Sequence, residues 1–139
     1  MSHMILFSSF AQGEPTLFDL AKLKEILEAH ECGLGLRQDD GYIPVFFPMI
    51  DGENSIGSDE GGIGTDGDGA IEFAIGRPLY DEPMKRLAFE LLNSLRLCAY
   101  GDGSHVYSAY KIEEMTLPDD LLAECEEGIS IVRSPDEMW

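Results

Sequence analysis

A surplus of carboxylates constrains this chain more than any other feature. Twenty-seven Asp and Glu stand against nine Lys and Arg in 139 residues, for a formal net charge of −18. Such a charge keeps a protein soluble and repels nucleic acid and anionic membranes, and it strains a compact state by self-repulsion. A real core must hold the fold together against that strain. The chain has the means, because hydrophobic residues make up 44% of it, too many for a disordered segment. A chain of this size buries roughly two-thirds of its unfolded surface, which suits one domain over residues 1–139.

No apolar run reaches the ~20 residues needed to span a bilayer. The start lacks the basic and small-residue pattern of a secretory signal. Ser2-His3-Met4 reads as a cloning scar, with Met4 the natural start, so His3 enters no site. Cys32, Cys98 and Cys125 are odd in number and form no CxxC pair, which argues against a zinc site and for reduced thiols in a cytoplasmic protein.

Periodicity divides the chain into short elements. Met4 to Phe10 reads as a buried strand. Thr16 is placed to cap a helix with Asp19 in its first turn, and Leu17, Leu20, Leu23 and Leu27 follow at helical spacing to about His30. A hairpin follows, with strands at 33–37 and 42–47 around the turn Gln38-Asp39-Asp40-Gly41. Ala70 to Ile75 alternates like a strand. Asp81 and Pro83 open a second helix, whose apolar face is Met84, Leu87, Leu91, Leu92 and Leu95. A second hairpin spans 97–112 around Gly101-Asp102-Gly103-Ser104. Pro118 starts a last acidic helix through Leu121, Leu122 and Cys125, stopped by Gly128. Ile129 to Arg133 closes the chain as a strand, with an acidic tail ending in Trp139. The order strand, helix, hairpin occurs twice, aligning Leu23 with Leu87 and Leu27 with Leu91. The expected fold is therefore α+β: antiparallel sheet packed against helices, built from two βαββ units plus a C-terminal helix and strand covering an edge.

The acids are unevenly spread. Asp51 to Glu72 holds seven acids and no base, and Glu113 to Trp139 holds nine acids and one base. Residues 51–69 contain seven glycines, so they read as a long flexible acidic loop. That loop invites calcium, but position 62 is Gly where the twelve-residue calcium loop needs a Glu. Gly61, Gly62 and Gly64 are not followed by Lys-Ser or Lys-Thr, and the acids would repel phosphate. His30 and Cys32, or Cys98 and His105, form no convincing nucleophile pair, and there is no GxSxG. The sequence thus points away from catalysis, with no metal or other cofactor assigned.

Aromatics ringed by carboxylates make good anchors for a cationic protein surface. Tyr42 and Tyr107 fall where they could face away from the helices. The residues assigned to partner binding are Asp119, Asp120, Glu124, Glu126 and Glu127 for steering, with Tyr107 and Trp139 as anchors.

This profile, small, very acidic, α+β and without a catalytic constellation, resembles bacterial immunity proteins of polymorphic-toxin and type VI secretion systems. The resemblance implies stoichiometric occlusion of a secreted toxin's active site, and a basic partner protein. Two other classes fit the same composition: a phage or mobile-element nucleic-acid mimic that inhibits a host defence enzyme, and a small calcium-dependent regulator or enzyme.

Overall fold

A computed structural model describes residues 4–58, 60–101 and 105–139; residues 1–3, read above as a cloning scar, and most of the expected second Asp-Gly turn, 102–104, lie outside them. The α+β expectation is met. The strands are β1 (Met4–Ala11), β2 (Glu14–Thr16), β3 (Gly33–Leu34), β4 (Ile43–Phe46), β5 (Met49–Ile50), β6 (Glu53–Asn54), β7 (Gly61–Asp66), β8 (Gly69–Gly76), β9 (Cys98–Tyr100), β10 (Val106–Ser108) and β11 (Ile129–Ile131). The helices are α1 (Leu20–Ala29), α2 (Glu82–Leu95) and α3 (Asp119–Glu124). The main sheet runs β11-β10-β9-β1-β8-β7-β4-β3, with β2 folded back on β1. Its pairs are antiparallel except β10–β11, which is parallel, so the sheet is mixed.

β1 and β8 form the centre. Ile5 pairs with Ile75 and Phe7 with Phe73, and all four side chains are fully buried on one face. The two phenyl rings lie 5.6 Å apart. Against this face sit Leu20, Leu23, Ile26 and Leu27 of α1 and Met84, Leu87, Ala88, Leu91 and Leu92 of α2. The cap of α1 differs from expectation. Asp19 is the N-cap and accepts the Lys22 N–H at 3.0 Å, while Thr16 ends β2 and Leu17 is 52% exposed before the helix begins. Pairing of residues 14–16 with β1 outcompetes an earlier helix start. Asp81 occupies the α2 N-cap position without a side-chain cap bond, and Pro83 sits in the first turn. The helix ends at Arg96 in the left-handed region.

Within 51–69, where a long loop is expected, the described residues form β6, β7 and the turns that join them to their neighbours. Asp51 and Gly52, at φ 53° and 81°, make the tight turn of the β5–β6 hairpin. Ser55 and Ile56 are buried, and Ser55 Oγ donates to the Pro48 carbonyl at 2.7 Å. Residues 61–66 form β7, paired on one side with β4 and on the other with β8. Gly67, at φ 61°, opens the two-residue turn into β8. The glycines of β7 provide clearance rather than freedom. A Cβ on Gly61 would lie 2.6 Å from the Phe47 ring, and one on Gly62 2.1 Å from the Tyr42 ring. Aromatic rings thus pack against both sides of this strand.

The strand–helix–hairpin order recurs, but the two-fold repeat is not borne out. In the second unit the first hairpin strand, β9, lies directly against β1. In the first unit β7 intervenes, and the second hairpin strand, β4, is the inner one. The C-terminal segment does cover an edge, through β11 on β10. The tail beyond it folds onto the helix side: Val132 and Met138 are buried, and the 3₁₀ turn Pro135–Glu137 lies against α2.

Candidate functional site

Side chains alternate along a strand, so residues next to the buried ones occupy the opposite face of the sheet. That second face divides in two. Over β9 and β10, Leu117, Leu121 and Cys125 close a small cluster on Cys98 and Val106, joined by Phe10, Tyr100, Ile112, Leu122 and Ile129. Over β1, β8, β7 and β4 no described helix covers the face, which is open among the described residues. One row across it reads Tyr100, Leu6, Ala74, Gly62, Pro44. Glu72 stands in the next row opposite Gly64, beside a bulge that leaves Ile71 as the extra residue.

Small residues in the middle of these rows leave a hollow of about 350 Å³, lined by Met4, Leu6, Tyr42, Gly62, Gly64, Glu72 and Ala74. Tyr42 forms one wall. Its ring crosses Gly62, and its hydroxyl donates to the Gly61 carbonyl at 3.1 Å. Leu6 and Met4 form the other wall. Ser8 Oγ and Tyr100 Oη share a hydrogen bond of 3.0 Å on the same face. Burial pushes the Glu72 carboxyl above its ordinary range, and no described residue offers it an ion pair. Tyr100 is also raised, first by burial, against the Ser8 hydrogen bond, with the Glu72 charge adding to the rise.

The residues anticipated from sequence separate into two groups. Asp119, Asp120, Glu124, Glu126 and Glu127 are all exposed on and just after α3. Because α3 covers Cys98 and Val106, its acids Asp119, Asp120 and Glu124, with Glu126 just after it, belong to the same side of the sheet as the hollow, and Tyr100 links the two regions. Glu127 is paired with His105 Nε2 at 2.8 Å. The two aromatic anchors lie mostly inside the fold. Tyr107 is only 6% exposed and faces the helix side, where its ring meets Trp139 at 5.3 Å and His105 at 5.4 Å. Trp139 is partly buried between Tyr107 and Tyr80, and its indole Nε1 is enclosed with no hydrogen-bond partner among the described residues. Both rings stabilise the core and are turned away from the acidic side. Tyr42 does lie on the face away from the helices.

The nucleophile candidates are quiet. Burial pushes the Cys32 thiol up to about 11 and the Cys98 thiol to about 12, so both are protonated at neutral pH. His30 is engaged with Glu90, joining α1 to α2. Among the described residues no three His, Cys, Asp or Glu side chains gather as a metal site. Among the described residues no helix is long and apolar enough to cross a membrane. Sequence reasoning missed Glu72, Leu6, Gly62 and Gly64. The available signal was a lone carboxylate inside the alternating run Ala70-Ile-Glu-Phe-Ala-Ile75.

No protein-family model, no curated protein and no solved structure compared with this chain gave a match.

Proposed function

We propose that this chain is a cytoplasmic binding protein that captures a basic protein partner on the open half of its sheet, and that it acts without catalysis. The reading is carried by one observation: an uncovered sheet face with a carboxylate set among apolar side chains, on a chain of net charge −18. The exposed acids Asp119, Asp120, Glu124 and Glu126 stand on the same side of the sheet and supply long-range attraction. The apolar surface around Leu6 and Tyr42 supplies contact area.

The partner class that best suits this is a secreted bacterial toxin domain, with this chain as the immunity protein that occludes its active site. Acidic side chains would then take the place of phosphate where the toxin is a basic nuclease. The test is to identify the gene beside this one and, where it encodes a basic toxin domain, to co-express the two. The expected result is a stoichiometric complex and loss of toxicity, both abolished when Asp119, Asp120, Glu124 and Glu126 are changed together to Lys. Undiminished protection by that variant contradicts the reading. Broad competition with duplex DNA for unrelated nucleases would instead favour the nucleic-acid mimic.

A further inference from the structure

We infer that the hollow over Gly62, Gly64 and Ala74 receives one lysine or arginine side chain of the basic partner, its alkyl stem along Leu6 and Met4 and its charge against Glu72. This rests on the reading that the partner is a basic protein, and it names the contact that reading needs.

The shape is set by the backbone. A Cβ at Gly64 would come within 3.2 Å of Ile71, and one at Gly62 would fall within the Tyr42 ring, so the two glycines let Ile71 and the Tyr42 ring seat close to the strand, the ring as a wall of the hollow. The hollow is within the size range of small-molecule sites. Its chemistry is divided in the way a long cationic side chain is divided. Lys and Arg carry an apolar stem that covers hydrophobic surface and a charged head that seeks a polar partner. Leu6, Met4 and Ala74 provide the apolar part, and Glu72 the polar end. The Tyr42 ring offers its π-system to the same cation.

Other occupants fit less well. An anion would meet Glu72 and the field of the whole chain. A purely apolar side chain would remove the remaining water from Glu72 and leave the carboxylate desolvated without a counter-charge. A cation reverses the penalty that burial places on the ionised carboxyl, so its binding strengthens as pH rises through the carboxylate range.

Tetralysine titrated into the ¹⁵N-labelled full chain at pH 7 tests this. The expected result is movement of the Gly62, Gly64, Glu72 and Ala74 amides, together with weaker movement on α3. Glu72→Gln preserves shape and should weaken the response in the hollow about tenfold, the effect of losing one charge-assisted contact, while α3 responds as before. Leu6→Lys, which plants a cation of the chain's own on the wall of the hollow, should suppress the same response. Movement confined to α3, or an undiminished response in the hollow of the Glu72→Gln protein, overturns the inference and leaves the acidic-surface reading standing. No movement on either surface overturns both.

Discussion

The two faces of the central strands come from the same residues taken alternately, yet they have opposite chemistry. Toward α1 and α2 the strands present Ile5, Phe7, Ile63, Phe73 and Ile75, all fully buried. Away from them they present Leu6, Ser8, Gly62, Gly64, Glu72 and Ala74. The first face holds the fold against its own charge. The second has small residues where a core would need large ones, and a carboxylate where a core would need none. Stability and the proposed binding thus fall on opposite sides of one pleat.

The widest contrast should be in stability. Phe73→Ala on the closed face is expected to cost about 3–5 kcal/mol, a large part of the stability of a domain this size. Leu6→Ala on the open face should cost about 1 kcal/mol. Urea denaturation of both variants measures the difference, and equal losses would break the distinction between the faces. Next in size is Gly62→Ala, whose new Cβ falls within the Tyr42 ring. It should destabilise by about 1–3 kcal/mol, and much of that should return in the double variant with Tyr42→Ala. Simple additivity would show that the ring does not lie on the strand.

The smallest effect has a sign of its own. Burial raises the Glu72 carboxyl above its unfolded value, so the folded state favours the protonated group. That contribution is present at low pH and is lost as pH rises through the raised value. At pH 7 the ionised side chain therefore weakens the fold. Glu72→Gln should raise Tm at pH 7 by about 2 °C, with the gain shrinking as pH is lowered toward 5. A drop in Tm would mean that Glu72 has a stabilising partner.

The same contrast explains what was legible in the sequence. The closed face was readable because its apolar residues repeat with the period of the element: Leu23 and Leu27 in α1, Leu87 and Leu91 in α2, the alternation in β8. β7 was not, because its glycines were counted as flexibility. Their actual role, lying beneath Phe47 and Tyr42, depends on residues far away in the chain. The hairpin turn at Asp51-Gly52 was visible by the same rule that found Asp40-Gly41, but the glycine count overrode it. Tyr107 was given the wrong side because alternation fixes which residues share a face, not which face is inward. Pairing of Tyr107 with Ala99 decides that. Trp139 looked like the end of a free tail, yet the burial of Val132 and Met138 brings it onto Tyr80 and Tyr107. The acids of α3 were correctly expected at the surface, since a helix with Leu121 and Cys125 inward must turn them out.

The account's central claim is that carboxylates on the open side of the sheet draw in a cationic protein. Its most direct test is the association rate constant with a basic protein domain that the chain captures, followed against ionic strength for the wild-type chain and for the variant with Asp119, Asp120, Glu124 and Glu126 changed to Lys. The account expects a rate that falls steeply with salt in the wild type, and a variant about tenfold slower or more at low salt with little salt dependence left. Equal rates for the two proteins, with the same flat response to salt, would contradict it.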